Sequence, residues 1–153
     1  MIIEYLEIIE KKGAGNLLFK SKIQSWINIL QANPEISKDD QAIDYNWNEL
    51  GIYLSVYHDE RRSLRIGHKQ KKLTYKGIDF FEDDNDEVHR KMCELDGYPM
   101  YKLGYTYLFN LGICLIDFYN FKGGQDDRVV SVFTTGVYDK TGKRMRRLEE
   151  SEW

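Results

Sequence analysis

Gly104-Tyr105-Thr106-Tyr107-Leu108-Phe109-Asn110-Leu111-Gly112-Ile113-Cys114-Leu115-Ile116-Asp117-Phe118-Tyr119-Asn120-Phe121 is dense in aromatic and branched side chains. Such residues suit a pleated, half-buried surface. Asn110 and Gly112 break the run and no proline enters it, so it reads as two short strands, or one bent strand, with at least one face buried. A fainter copy lies earlier in the chain. Leu50-Gly51-Ile52-x-Leu54 matches Leu111-Gly112-Ile113-x-Leu115, and Arg62-x-Leu64-x-Ile66 matches Arg128-x-Val130-x-Val132. Asn33-Pro34 and Tyr98-Pro99 each follow a helical pattern.

These matches predict an internal repeat of two β-α-β-β units, about 17–67 and about 73–134. In the first unit Leu17-Leu18-Phe19 reads as a strand. Ile23, Trp26, Ile27 and Leu30 then recur at helical spacing from Lys22 to Gln31, with Ser21 as the expected N-cap. Residues 35–46 read as a polar loop, and 47–57 with 62–66 as a hairpin around His58-Asp59-Glu60-Arg61. Lys69-Gln70-Lys71-Lys72 reads as a solvated connection. In the second unit Leu73 to Phe81 is a strand that bulges at Gly77. Asp86 to Leu95 is a helix with Val88, Met92 and Leu95 as its apolar stripe, and 128–133 is the returning strand. Outside the units, 1–12 reads as an amphipathic helix, Val137-Tyr138-Asp139 as an edge strand and Lys140-Thr141-Gly142 as a turn. The charged tail, 140–153, reads as a frayed helix from Lys143 onward. The expected fold is α+β, a single domain with an antiparallel sheet and helices on one face.

Composition narrows the function. The chain has 153 residues, 42% of them hydrophobic and 31% charged, with a net charge of −3. That balance suits a packed globular protein and argues against nucleic acid as main partner. No apolar run approaches the roughly 20 residues that span a bilayer. The acidic N-terminal stretch lacks the basic start of a signal peptide, and Cys93 and Cys114 form no CxxC, so both read as reduced core residues of a cytoplasmic protein.

Catalytic and metal motifs are weak. His89 and Cys93 share a helix face at i and i+4, but a zinc site needs two further ligands that no motif supplies. His58 lies beside Asp59 and Glu60 in a turn, as surface turns commonly arrange, and His68 lies among lysines. Asp83-Asp84-Asn85-Asp86 lacks the glycine and terminal glutamate of an EF-hand. The expectation is no enzyme, no cofactor and no metal. The acidic clusters carry more. Glu82, Asp83, Asp84, Asp86 and Glu87, with Asp126 and Asp127, could steer a basic partner, or could simply cap the second helix in solvent. Trp47, Tyr53, Tyr105 and Tyr107 are the candidate aromatic anchors of a binding surface.

From 17 to 133, the order of helix, Leu-Gly-Ile strand, Tyr75-Lys76-Gly77-Ile78-Asp79-Phe80-Phe81, acidic helix start and second Leu-Gly-Ile hairpin resembles small bacterial immunity proteins. These are the single-domain antitoxins of polymorphic and contact-dependent toxin systems. The resemblance implies a cytoplasmic inhibitor that binds one cognate toxin domain, often a basic nuclease, by stoichiometric protein–protein interaction. The tandem units are also similar in topology to β-lactamase-inhibitor-like folds, which use helix-plus-sheet repeats as binding scaffolds. The alternative is a binding or scaffold protein for another partner, or a small-ligand-binding protein.

Overall fold

A computed structural model describes residues 5–70, 72–140 and 142–153. The strands are β1 Leu6–Ile9, β2 Gly13–Ala14, β3 Leu17–Leu18, β4 Glu35–Lys38, β5 Ala42–Trp47, β6 Ile52–Tyr57 and β7 Arg62–Gly67 in the first part. They continue as β8 Leu73–Tyr75, β9 Ile78–Asp79, β10 Met100–Lys102, β11 Tyr105–Leu108, β12 Ile113–Ile116, β13 Val129–Phe133 and β14 Arg146–Arg147. Helix α1 spans Ile23–Leu30 and α2 spans Asn85–Asp96. Nine strands form one antiparallel sheet in the order β14-β10-β11-β12-β13-β7-β6-β5-β4. A small second sheet, β3-β2-β1-β8-β9, includes a parallel β1–β8 pair. The fold is α+β.

Alternation sorts the large sheet into two faces. Ile52, Leu54, Leu64, Ile66, Ile113, Leu115, Val130 and Val132 are buried in the main core. Trp26 and Leu30 of α1, Val88, Met92 and Cys93 of α2, and Leu6, Ile8 and Leu73 of the small sheet pack onto that face. Both helices therefore lie on one side. The opposite face carries Asp44, Tyr53, Ser55, Ser63, Arg65 and Ser131 in the register of β5, β6, β7 and β13.

The repeat is visible in the register. β7 pairs with β13 at the sheet's centre, with Arg65 opposite Ser131 and Leu64 opposite Val132. Ile52 pairs with Ile66 as Ile113 pairs with Val132, and Leu54 with Leu64 as Leu115 with Val130. Gly51 and Gly112 both adopt left-handed φ, +66° and +70°. Their carbonyls accept from Gly67 N and Phe133 N, each at 2.9 Å. At the unit's start, Ala14 pairs with Leu17 as Tyr75 pairs with Ile78. Each unit is a small hairpin, a helix and four strands, longer than the β-α-β-β pattern expected from the sequence.

Several local expectations differ from the structure. Of the expected N-terminal helix, 1–12, residues 1–4 lie outside the described residues and the described part holds strand β1: Leu6 and Ile8 are buried, Glu7 and Ile9 exposed, and Leu6 N donates to Lys72 O at 2.8 Å. Pairing with β8 outweighs the helical spacing. The expected 35–46 loop is the β4–β5 hairpin, whose turn is closed by Gln41 N and Ala42 N donating to the Asp39 carboxylate. Ser21 does not cap α1; Lys22 holds that place without a side-chain bond. Lys76 and Gly77 form a tight turn, not a bulge. Gln70 is buried, its Nε2 donating to Leu50 O at 2.7 Å, while Lys71 lies outside the described residues. Val137–Asp139 is not a strand; the edge is β14. Beyond β14 the tail forms a short 3-10 turn, Glu150–Glu152, tied by the Arg146–Glu152 ion pair at 2.9 Å. Thr141, in the turn expected at 140–142, also lies outside the described residues.

Candidate functional site

The candidate anchors separate into two kinds. Trp47 is 3% exposed, stacked on Trp26 at 6.2 Å, with its Nε1 donating to Ala32 O at 2.8 Å. It joins α1 to the sheet and is no surface anchor. Tyr107 is buried too, against Phe109 and Tyr138, and burial pushes its phenol up to about 12. Both fall at positions where the strand's neighbours fold over them, which local spacing does not display. Tyr53 and Tyr105 are half-buried on the face away from the helices.

The carboxylate run sits on the other side, at the start of α2, so the structure does not bring it to the tyrosines. Much of it serves the helix. The Asp84 carboxylate accepts from Glu87 N at 3.1 Å, Asp83 accepts from Asp79 N, and Glu87 pairs with Arg90 and Lys91. Glu82 and Asp86 remain exposed beside them. Asp126 does join this corner. Arg128, 7% exposed, donates to both Asp126 carboxylate oxygens at 2.9 Å and to Asn85 Oδ1 at 3.1 Å. Those bonds hold the Asp126 carboxyl below its usual range. The same guanidinium lies 4.5 Å from the Phe121 ring and 5.4 Å from that of Phe118. Asp127 is exposed next to it.

Among the described residues no three His, Cys, Asp or Glu side chains gather as a metal cluster would require. His89 Nδ1 is 3.8 Å from Cys93 Sγ, and its Nε2 meets Thr106 Oγ1 at 2.9 Å, with burial lowering the imidazole's pKa. Burial also raises the Cys93 thiol to about 12 and the Cys114 thiol well above its ordinary value. His58 and His68 lie exposed in turns.

The two halves differ most on the outer face of the large sheet. Over β11 to β13 that face is apolar: Tyr107, Cys114, Ile116 and Phe133 form a second small core. The chain itself covers it, through Val137, Tyr138 and Met145. Over β5 to β7 the same face is polar and uncovered. A trough of about 310 Å³ runs along the join between the two, lined by Asp39, Asp44, Ser55, Ser63, Arg65 and Tyr138 among others. Its hydroxyls form a chain: Tyr138 Oη is 3.2 Å from Ser131 Oγ, which is 3.3 Å from Ser63 Oγ. Ser55 Oγ donates to Asp44 Oδ1 at 2.7 Å. Burial pushes the Tyr138 phenol up to about 12. A second hollow, about 660 Å³, lies against the small sheet, where Tyr75 Oη donates to the Glu10 carboxylate. The trough was missed from sequence because Arg65, Ser63 and Asp44 meet only once register is known. The available hint was Arg65 itself, a charge on the outer parity of an alternating strand.

Compared with protein-family models, curated proteins and solved structures, the chain matches none. No helix among the described residues is long and apolar enough to cross a membrane.

Proposed function

We propose that this chain is a stoichiometric inhibitor of the immunity type, which binds one toxin domain and blocks it through the outer face of β5, β6 and β7. The carrying observation is the asymmetry of the sheet. The chain covers this face in its second half and leaves it uncovered in the first, where Tyr53, Tyr57 and Arg65 stand on rigid paired strands. Tyrosine and arginine are the residues most often found as hot spots at protein interfaces, and strands hold them in place at low entropic cost. The exposed carboxylates near α2 lie on the other layer and suit long-range steering of a basic domain, not close contact.

The test is co-expression with the C-terminal domain of the protein encoded by the neighbouring gene. The reading expects a one-to-one complex on sizing with light scattering, suppression of that domain's toxicity, and slower association as salt rises. Failure of the two chains to associate, with both folded, overturns it.

A further inference from the structure

Most arginines of the chain whose side chains enter the described contacts are committed. Arg61, Arg90, Arg128 and Arg146 form ion pairs and Arg62 donates to the Tyr57 and Arg61 carbonyls, while Arg144 and Arg147 are exposed to solvent, Arg147 4.2 Å from the Tyr98 ring. Arg65 is different. It is half-buried in the centre of the sheet, and among the described residues its guanidinium makes no ion pair and no hydrogen bond. The Tyr53 ring lies 5.8 Å from the guanidinium carbon, and Ser131 stands opposite on β13. The carboxylates that line the trough are otherwise engaged. Asp44 accepts from Ser55, and Asp39 accepts two backbone N–H groups at 2.7 and 2.8 Å.

We infer that Arg65 is the anchor for an acidic side chain of the protein partner, received in the trough that Arg65 lines with Tyr57, Tyr105 and Tyr138. The inference rests on the partner-binding reading and gives it a chemistry. A partner that covers this face removes water from the guanidinium. Without a carboxylate of its own it would bury an unpaired charge, which is strongly unfavourable. With one, the planar fork of Arg65 offers paired donors at a fixed angle, and the Ser63–Ser131–Tyr138 hydroxyls lie beside it. Asp39 and Asp44 also line the trough, so it suits one carboxylate held by the Arg65 fork better than a run of phosphates. The partner is thus basic overall at long range and acidic at one contact point.

Two measurements test this. In the chain alone, the Arg65 Nε–Hε signal is followed by NMR during titration with blocked glutamate (N-acetyl-glutamate amide), with blocked glutamine and matched sodium chloride as controls. The expected result is a saturable shift at Arg65 with glutamate alone, absent in Arg65→Gln. Equal shifts with glutamine, or equal shifts at Arg61 and Arg147, overturn the inference. In the complex with the neighbour-encoded domain, Arg65→Gln is expected to speed dissociation at least about ten-fold and to leave association within about three-fold. Arg65→Lys, which keeps the charge and loses the fork, falls between. A complex that forms with wild-type affinity in Arg65→Gln overturns the inference and leaves the inhibitor reading standing. If no complex forms with the wild-type chain, the inhibitor reading fails, and the glutamate titration alone decides whether Arg65 receives a carboxylate.

Discussion

Arg65 and Ser131 face each other across β7 and β13, and they occupy the same place in the two halves of the chain. A shift of 66 residues carries Arg65 onto Ser131, Leu64 onto Val130 and Ile66 onto Val132, and each pairing of β7 with β13 maps onto another pairing of the same two strands. The pair marks a pseudo-twofold axis through the middle of the large sheet. At that axis the halves have diverged in opposite senses. Ser131 is fully buried in the hydroxyl chain to Tyr138, while Arg65 stands in the open trough. The axis therefore separates a half that completes its own outer face from one that leaves it to water or a partner.

The paired glycines at the Leu-Gly-Ile turns give a comparison within one molecule. Both Gly51 and Gly112 hold a left-handed φ, which costs an L-residue about 1–2 kcal/mol. A Cβ on Gly51 meets the Cβ of Lys69, on an exposed connection, at 3.1 Å. On Gly112 it meets the Phe133 carbonyl oxygen at 2.8 Å, and that strand is locked in the sheet's centre. Gly51→Ala is expected to lose about 1–2 kcal/mol in urea unfolding. Gly112→Ala should lose clearly more. Equal losses would mean that the β13 backbone yields freely there.

His89 makes the fold sensitive to mild acid. It sits between Cys93, Thr106 and the Tyr119 ring, and burial lowers its pKa below the ordinary value. Below about pH 6.5 the unfolded chain binds a proton that the folded chain resists. Stability is therefore complete above that pH and falls as pH drops toward the lowered value. Unfolding free energies from pH 7.5 to 5 should decline more steeply in the wild type than in His89→Gln, which retains a polar partner for Thr106. Parallel curves would show that His89 charges as easily in the fold as out of it. Asp96 works in the opposite sense at lower pH, since burial raises its carboxyl's pKa, so the difference between the two curves isolates the imidazole.

Much of this architecture is legible in the residues, and the losses have definite causes. The Leu-Gly-Ile and Arg-x-Leu-x-Ile matches align strands that the register also aligns, because a left-handed glycine and an alternating core face are local requirements. β1 was hidden because Leu6-Glu7-Ile8-Ile9 satisfies both periods, and only its pairing with β8 selects two. β4 was hidden because all four of its residues are exposed at a sheet edge, so no alternation marks it. Trp47 looked like a surface ring because burial by α1 is a long-range event.

Trp47 and Tyr53 lie on strands paired side by side and should behave oppositely. Trp47 fills the space between α1 and the sheet with a satisfied indole, so Trp47→Ala is expected to cost about 3–5 kcal/mol of stability. Its effect on partner binding should vanish once the folded fraction is taken into account. Tyr53 packs mainly beside Arg65 on the outer face, so Tyr53→Ala should change stability by no more than about 1 kcal/mol. In the complex with the neighbour-encoded domain it should cost at least about 2 kcal/mol of affinity, as a central aromatic does. Urea unfolding and calorimetric titration on the same preparations separate the two quantities. If Tyr53→Ala binds as the wild type does while Trp47→Phe, with its fold intact, loses affinity, the partner approaches from the helical side and the outer face is not the contact.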